Sequence, residues 1–223
     1  MTLGFGSVPY IPDLHHPAID AVAVFVVAAL LAIMINAEAQ AFMAAILGDA
    51  RPGAKDRFHF NAFLHLDILG SICFFVAGFG WPRPLDIDAG NFKYPRLFTV
   101  IARLAGPLAN ILLANIAASL VFAIGFFDID PRVFMMVLVV NVTTAVYNLI
   151  PLPPLAAWSF LSIWLPGQSQ GIKKILQIFG PVIIVAIFLI ERITGVGLIS
   201  PYLNPLVREL VRLIAGLPKT TGA

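Results

Sequence analysis

Between Arg132 and Lys173 the chain carries no charged side chain. A run of that length cannot be one membrane crossing, for which roughly 20 residues suffice. It must be interrupted, and Pro151, Pro153 and Pro154 mark the place. Each lacks a backbone donor, and each drives the residue before it out of the helical region. Uncharged runs also separate Asp20 from Glu38 and Arg103 from Asp128. Charged residues make up 12% of the chain, against about 25% in a soluble domain. The pattern predicts an all-α integral membrane protein, a polytopic bundle of about five to six transmembrane helices with a Pro-rich broken segment. The formal net charge of +2 is too small to argue for nucleic acid. The expected partners are membrane lipid and other membrane proteins.

The reading along the chain is a polar lead-in over 1–17, one transmembrane domain over 18–217 and a tail at 218–223. Helices are predicted at roughly 18–48, 66–80, 94–127, 132–149, 156–164, 173–194 and 203–216. The lead-in holds Asp13, His15 and His16 and has no basic start followed by an apolar core, so no cleavable leader is expected. A charged loop with Arg51, Lys55 and Arg57 follows the first helix, and a polar, hairpin-like loop covers 82–93. Trp81-Pro-Arg-Pro84 reads as an interfacial stop, with the indole at headgroup depth. Gly106, Asn110 and Ala114 recur every four residues, a small-and-polar stripe suited to close helix packing. Asn141 and Asn148, on or near the fourth helix, need hydrogen-bond partners inside the bundle. The last helix is amphipathic, with Arg208, Glu209 and Arg212 opposite leucine and valine, and reads as an interfacial helix or a short last span. The single cysteine, Cys73, excludes an internal disulfide. Lysine and arginine fall on both sides of successive spans, so they assign no orientation.

Within the first helix the chemistry-bearing residue is Glu38, since a carboxylate at membrane depth is expensive and points to function. It lies in Ala37-Glu38-Ala39-Gln40-Ala41. Further on come Asn61-Ala-Phe-Leu-His-Leu-Asp67, Phe79-Gly-Trp-Pro-Arg-Pro84, Asn91-Phe-Lys-Tyr-Pro-Arg96, Leu104-Ala-Gly-Pro-Leu-Ala-Asn110 and Tyr147-Asn-Leu-Ile-Pro-Leu-Pro-Pro-Leu155. In this order and spacing the pieces resemble the site-2 protease family of intramembrane zinc metallopeptidases, in its short bacterial form, over roughly residues 20–215.

The resemblance implies a His-Glu-x-x-His motif on the first helix. Its histidines, at i and i+4, share one face and hold one zinc, and the glutamate activates the zinc-bound water. It also implies a third ligand, an aspartate in a Leu-Asp-Gly step after the Pro-rich segment. Against that pattern the two histidine positions are Ala37 and Ala41, and the aspartate position is Ala156 in Leu155-Ala-Ala157. Only Glu38, a base and not a ligand, is kept. Alanine cannot coordinate a metal, so no zinc and no peptidase activity by the family mechanism are expected. A relocated site would have to draw on Gln40, His59, His65 or Asp67. The family pattern makes His65 and Asp67 loop-ordering residues.

Three roles for Glu38 stay open: a relic, a structural hydrogen bond to Asn110, Asn148 or the Pro-rich backbone, or proton handling. The leading functional reading is a pseudoprotease, a scaffold subunit of a larger membrane complex. Its groove around Glu38, Asn110, Asn148, Pro151, Pro153, Pro154 and Leu155 would hold a partner segment. The alternatives are an active intramembrane zinc protease with non-standard ligands, and a proton-coupled transporter or small-ligand binding protein using Glu38. A multi-pass protein of the bacterial inner or plasma membrane is implied.

Overall fold

The computed structural model describes residues 8–13, 16, 18–49, 60–127, 129–164 and 170–217. His15, His59, the loop cations Arg51, Lys55 and Arg57, and the tail 218–223 lie outside the described residues. Among those described there are seven α-helices: α1 (Ile19–Leu47), α2 (Ile68–Ala77), α3 (Pro95–Ile124), α4 (Arg132–Tyr147), α5 (Ala156–Trp164), α6 (Gln170–Thr194) and α7 (Ser200–Ile214). Short 3-10 turns occur at Ala62–His65, Ala89–Asn91 and Gly125–Phe127. No strand forms among the described residues. The 82–93 loop contributes one antiparallel bridge, Leu66 to Pro82, because Pro82 and Pro84 have no N–H to extend a ladder.

Among the described residues, three helices are long and apolar enough to cross a membrane: α1, α3 with its continuation to Phe127, and α6 from Gly171. At 1.5 Å per residue, the 29 residues of α1 reach about 44 Å. The apolar helices α2, with 10 residues, and α4, with 16, are shorter than the roughly 20 that a crossing takes. The chain is thus a helical membrane protein, with three full-length apolar helices and two shorter apolar ones among the described residues.

The core is organised around α4, in which every residue from Met135 to Tyr147 is buried. A helix that is apolar all round belongs at the centre of a bundle, and α1, α3 and α7 pack against it. Below its C-terminus the Phe79 ring lies 4.3 Å from Tyr147 and 5.2 Å, edge-on, from Phe188 of α6. Trp81 belongs to this cluster. It is 1% exposed, because its indole N–H donates to Asp67 (3.0 Å) and so has an acceptor inside the protein.

On α3 the polarity of a soluble helix is reversed. Gly106, Asn110, Ala114 and Ala117 face inward, while Leu97, Ile101, Leu104, Leu108, Leu112 and Ile116 are exposed. Leucine and isoleucine on the outside suit lipid tails, and small residues on the inside let helix backbones approach. A Cβ at Gly106 would stand 2.4 Å from Asn36 Oδ1, so glycine there admits the α1 amide. Likewise a Cβ at Gly180 of α6 would stand 2.4 Å from the Pro153 carbonyl, which is how the Pro-rich segment seats on α6.

The charged pair that ends α6 is used twice. Glu191 Oε1 accepts from the backbone N–H groups of Leu198, Ile199 and Ser200, and its other oxygen from the Ser200 hydroxyl. It therefore serves as the anionic N-terminal cap of α7. Arg192 donates to the carbonyls of Phe75 and Val76 in the last turn of α2, and to Pro12 (2.8 Å). A cation at a helix C-terminus is favourable for the converse reason. The amphipathic α7 buries Val207 and Val211 and leaves Arg208 and Glu209 exposed.

Candidate functional site

Glu38 lies on the inward face of α1 and is 4% exposed, with Ala37 and Ala41 equally buried beside it. Its Oε1 accepts two hydrogen bonds, from His65 Nε2 (2.9 Å) and from the Phe60 backbone N–H (3.1 Å). The 3-10 turn Ala62–His65 brings the imidazole there. Asn61 caps that turn by accepting from the Phe63 N–H. Phe60 has φ of 44°, a left-handed conformation that costs a non-glycine residue of order 1–2 kcal/mol. Glu38 thus holds the N–H of a strained residue and the ring at the far end of the same turn.

Asp67 organises the next step of chain. Its Oδ1 accepts from the Gly70 N–H (2.8 Å), capping α2, and from Trp81 Nε1 (3.0 Å). Asp67→Ala removes both bonds. It is expected to lower stability by about 1–2 kcal/mol, the scale of a lost N-cap, read as a fall in the thermal unfolding midpoint in detergent. Retention of the wild-type midpoint would show that the cap is dispensable.

Neither Asn110 nor Asn148 hydrogen-bonds Glu38, because each amide is committed elsewhere. Asn110 Nδ2 donates to Ala32 O (3.0 Å) and Asn141 Oδ1 (2.8 Å), and its Oδ1 accepts from Asn36 Nδ2 (2.6 Å). Asn36 Oδ1 accepts from Gln40 Nε2 (2.7 Å), and Gln40 Oε1 accepts from Arg103 (3.0 Å), which also donates to Leu85 O (2.6 Å). The result is a continuous polar ladder from Arg103 through Gln40, Asn36 and Asn110 to Asn141, joining α1, α3 and α4. Asn148 stays local: its Nδ2 donates to Thr144 O (2.8 Å) and its Oδ1 accepts from the Ala156 N–H (3.2 Å). It closes the end of α4 onto the start of α5 across the Pro-rich segment. There Pro153, Leu155 and Ala156 are buried, Pro154 is half-buried and Pro151 is exposed.

Asn36, Gln40 and Arg103 were not anticipated as a network. The signal was present: Asn36 and Gln40 are four apart on α1 and so share a face, opposite the Gly106–Asn110 stripe. Among the described residues no three His, Cys, Asp or Glu side chains form a group that could hold a metal ion.

The chain is similar to a Bacillus subtilis (strain 168) protein named "Putative zinc metalloprotease YwhC", with 26% identity over 201 residues, 86% of this chain and 91% of the relative. No family model matches, and no solved structure matches. The similarity supports a site-2 protease-like, metalloprotease-like relationship for this membrane protein.

Proposed function

We propose that this chain is a multi-pass, non-catalytic member of the site-2 protease-like group, a pseudoprotease that serves as a scaffold subunit in a membrane complex. The observation that carries the reading is the state of Glu38. The carboxylate at the place of the family's general base is engaged as a buried acceptor for His65 and Phe60, and its neighbours at 37 and 41 are methyl groups. Tetrahedral zinc needs nitrogen, sulfur or oxygen donors. The Ala37, Ala41 and Ala156 positions supply none, so they do not fit the ion. Glu38 and His65 alone would make two donors. With Asn110 and Asn148 committed inside the chain, a partner segment would meet exposed Pro151 and Leu149 rather than those amides.

The relative's name favours a second reading, an active metalloprotease with other ligands. Metal analysis of the purified full chain separates the two. Wild type is expected to carry no stoichiometric zinc, while the triple variant Ala37→His, Ala41→His, Ala156→Asp gains about one ion per chain, because it recreates a three-ligand site. About one zinc per wild-type chain, lost on His65→Ala, would overturn the pseudoprotease reading. A triple variant that folds but takes up no zinc would show that positions 37, 41 and 156 do not converge, and the argument from the missing donors would fall with it.

A further inference from the structure

An open cavity of about 320 Å³ lies where the start of α3, the α5 helix and the start of α6 meet. That is at the small end of the range for ligand pockets. It is lined by Arg96 and Thr99 of α3, Ser159, Ser162 and Ile163 of α5, and Lys173 of α6. Two cations face it, and among the described residues lining it there is no carboxylate. Arg96 makes no ion pair or hydrogen bond with a described residue. Lys173 Nζ donates to the Ser162 carbonyl (2.9 Å), which leaves two of its three protons free for another acceptor. The hydroxyls of Thr99, Ser159 and Ser162 donate to carbonyls of their own helix. Contact with a ligand therefore falls to the two cations.

Two further features favour an anion. The first turn of α3 has no side-chain cap, since Tyr94 at the N-cap accepts nothing from it. Its backbone N–H groups and the positive end of the helix dipole open beside Arg96. Lys173 also sits just before the uncharged helical run that begins after Lys174, and Arg96 lies about two turns before the one that begins after Arg103. That is the level at which lysine and arginine reach headgroups.

We infer that this cavity binds a phosphate-bearing anion through Arg96 and Lys173. The phosphate could be carried by an acidic phospholipid or by a soluble ester, and one experiment distinguishes them. The detergent-solubilised full chain is titrated with phosphatidylglycerol, phosphatidylcholine, glycerol 3-phosphate and inorganic phosphate, and the thermal unfolding midpoint is followed. A saturable rise is expected with an anionic phosphate and not with phosphatidylcholine. Apparent affinity should fall about fivefold in Arg96→Gln and again in Lys173→Gln, the effect of losing one charge-assisted hydrogen bond to the bound anion. Lys174→Gln, next in the chain but outside the cavity lining, should bind as wild type. A rise with phosphatidylglycerol alone assigns a lipid headgroup, and a matching rise with glycerol 3-phosphate or inorganic phosphate assigns a soluble ligand. Because Arg96 makes no bond to a described residue, its substitution tests the site without disturbing the fold. Unchanged affinity in Arg96→Gln, an equal shift with phosphatidylcholine, or an equal loss in Lys174→Gln would each overturn the inference.

Discussion

Asn110→Leu is expected to destabilise the bundle by about 2–4 kcal/mol, because the substitution orphans buried groups on two neighbouring helices. Leucine is close to asparagine in size, so the cost is not a cavity. Asn36 Nδ2 loses its acceptor and Asn141 Oδ1 loses its donor, and both side chains are fully buried. Ala32 O also loses a bond, but as a helix carbonyl it retains its backbone partner. Single hydrogen bonds between membrane helices average only about 0.6 kcal/mol in measured cycles. The expectation exceeds that because Asn110 is the junction of three. Asn115, one turn on, is the control: its amide donates only to Ile111 O of its own helix (2.8 Å), and it is exposed. Asn115→Leu should be neutral or mildly stabilising toward lipid. Unfolding by a denaturing detergent measures both. Equal effects at 110 and 115 would mean that the ladder from Arg103 to Asn141 does not hold α1, α3 and α4 together.

How much of this was legible in the sequence depends on the range of the interaction. The uncharged runs announced a helical membrane protein, and the prolines at 151, 153 and 154 announced the break between α4 and α5. Both signals act through solvation or through backbone sterics within a few residues. The stripe at 106, 110 and 114 announced a close-packed face. What it faced was another matter, since Asn36 lies 74 residues before Asn110 and nothing local pairs them. Burial of Trp81 is not legible for the same reason: its acceptor, Asp67, lies 14 residues earlier in the chain. The double use of Glu191 and Arg192 depends on where α2 and α7 end in space, which the end of α6 does not encode. Hydropathy marks what is apolar but not where a helix ends: the length of α2 is set by the Asp67 cap and by the chain turning back at Gly78.

Glu38 shows the difference most sharply. As an isolated carboxylate in an apolar helix it has the profile of a functional residue. Its partner, His65, is 27 residues on and reaches it only because the 3-10 turn folds back over α1. Asn110 and Asn148 were reasonable candidates as buried amides. They are excluded by valence, since Asn110 has both amide protons donated and its oxygen bonded, and Asn148 is spent on the α4–α5 turn.

A double-mutant cycle at Glu38 and His65 measures whether that carboxylate is a tether. With side-chain exposures of 4% and 14%, the pair lies in a poorly solvated site, where leaving a polar group without its hydrogen bond costs about 1–3 kcal/mol. His65→Leu is therefore expected to destabilise by about 2–3 kcal/mol, because it takes a hydrogen-bond partner from the buried Glu38 carboxyl group. Glu38→Leu should cost less, about 1–2 kcal/mol, because it orphans the Phe60 N–H and the His65 ring, the more exposed member of the pair. The double variant should be less stable than wild type by less than the sum of the singles, with a coupling of about 1–2 kcal/mol. The same variants carry a local signature. With Glu38 gone, nothing on α1 holds the Phe60 N–H in its left-handed conformation, so amide exchange should quicken over 60–65 while α2, capped by Asp67, stays protected. Strict additivity, or unchanged exchange at Phe60, would mean that Glu38 does not restrain the turn. A buried carboxylate free of structural duty would then be better explained as a catalytic base, and the balance would move from the pseudoprotease to the active metalloprotease.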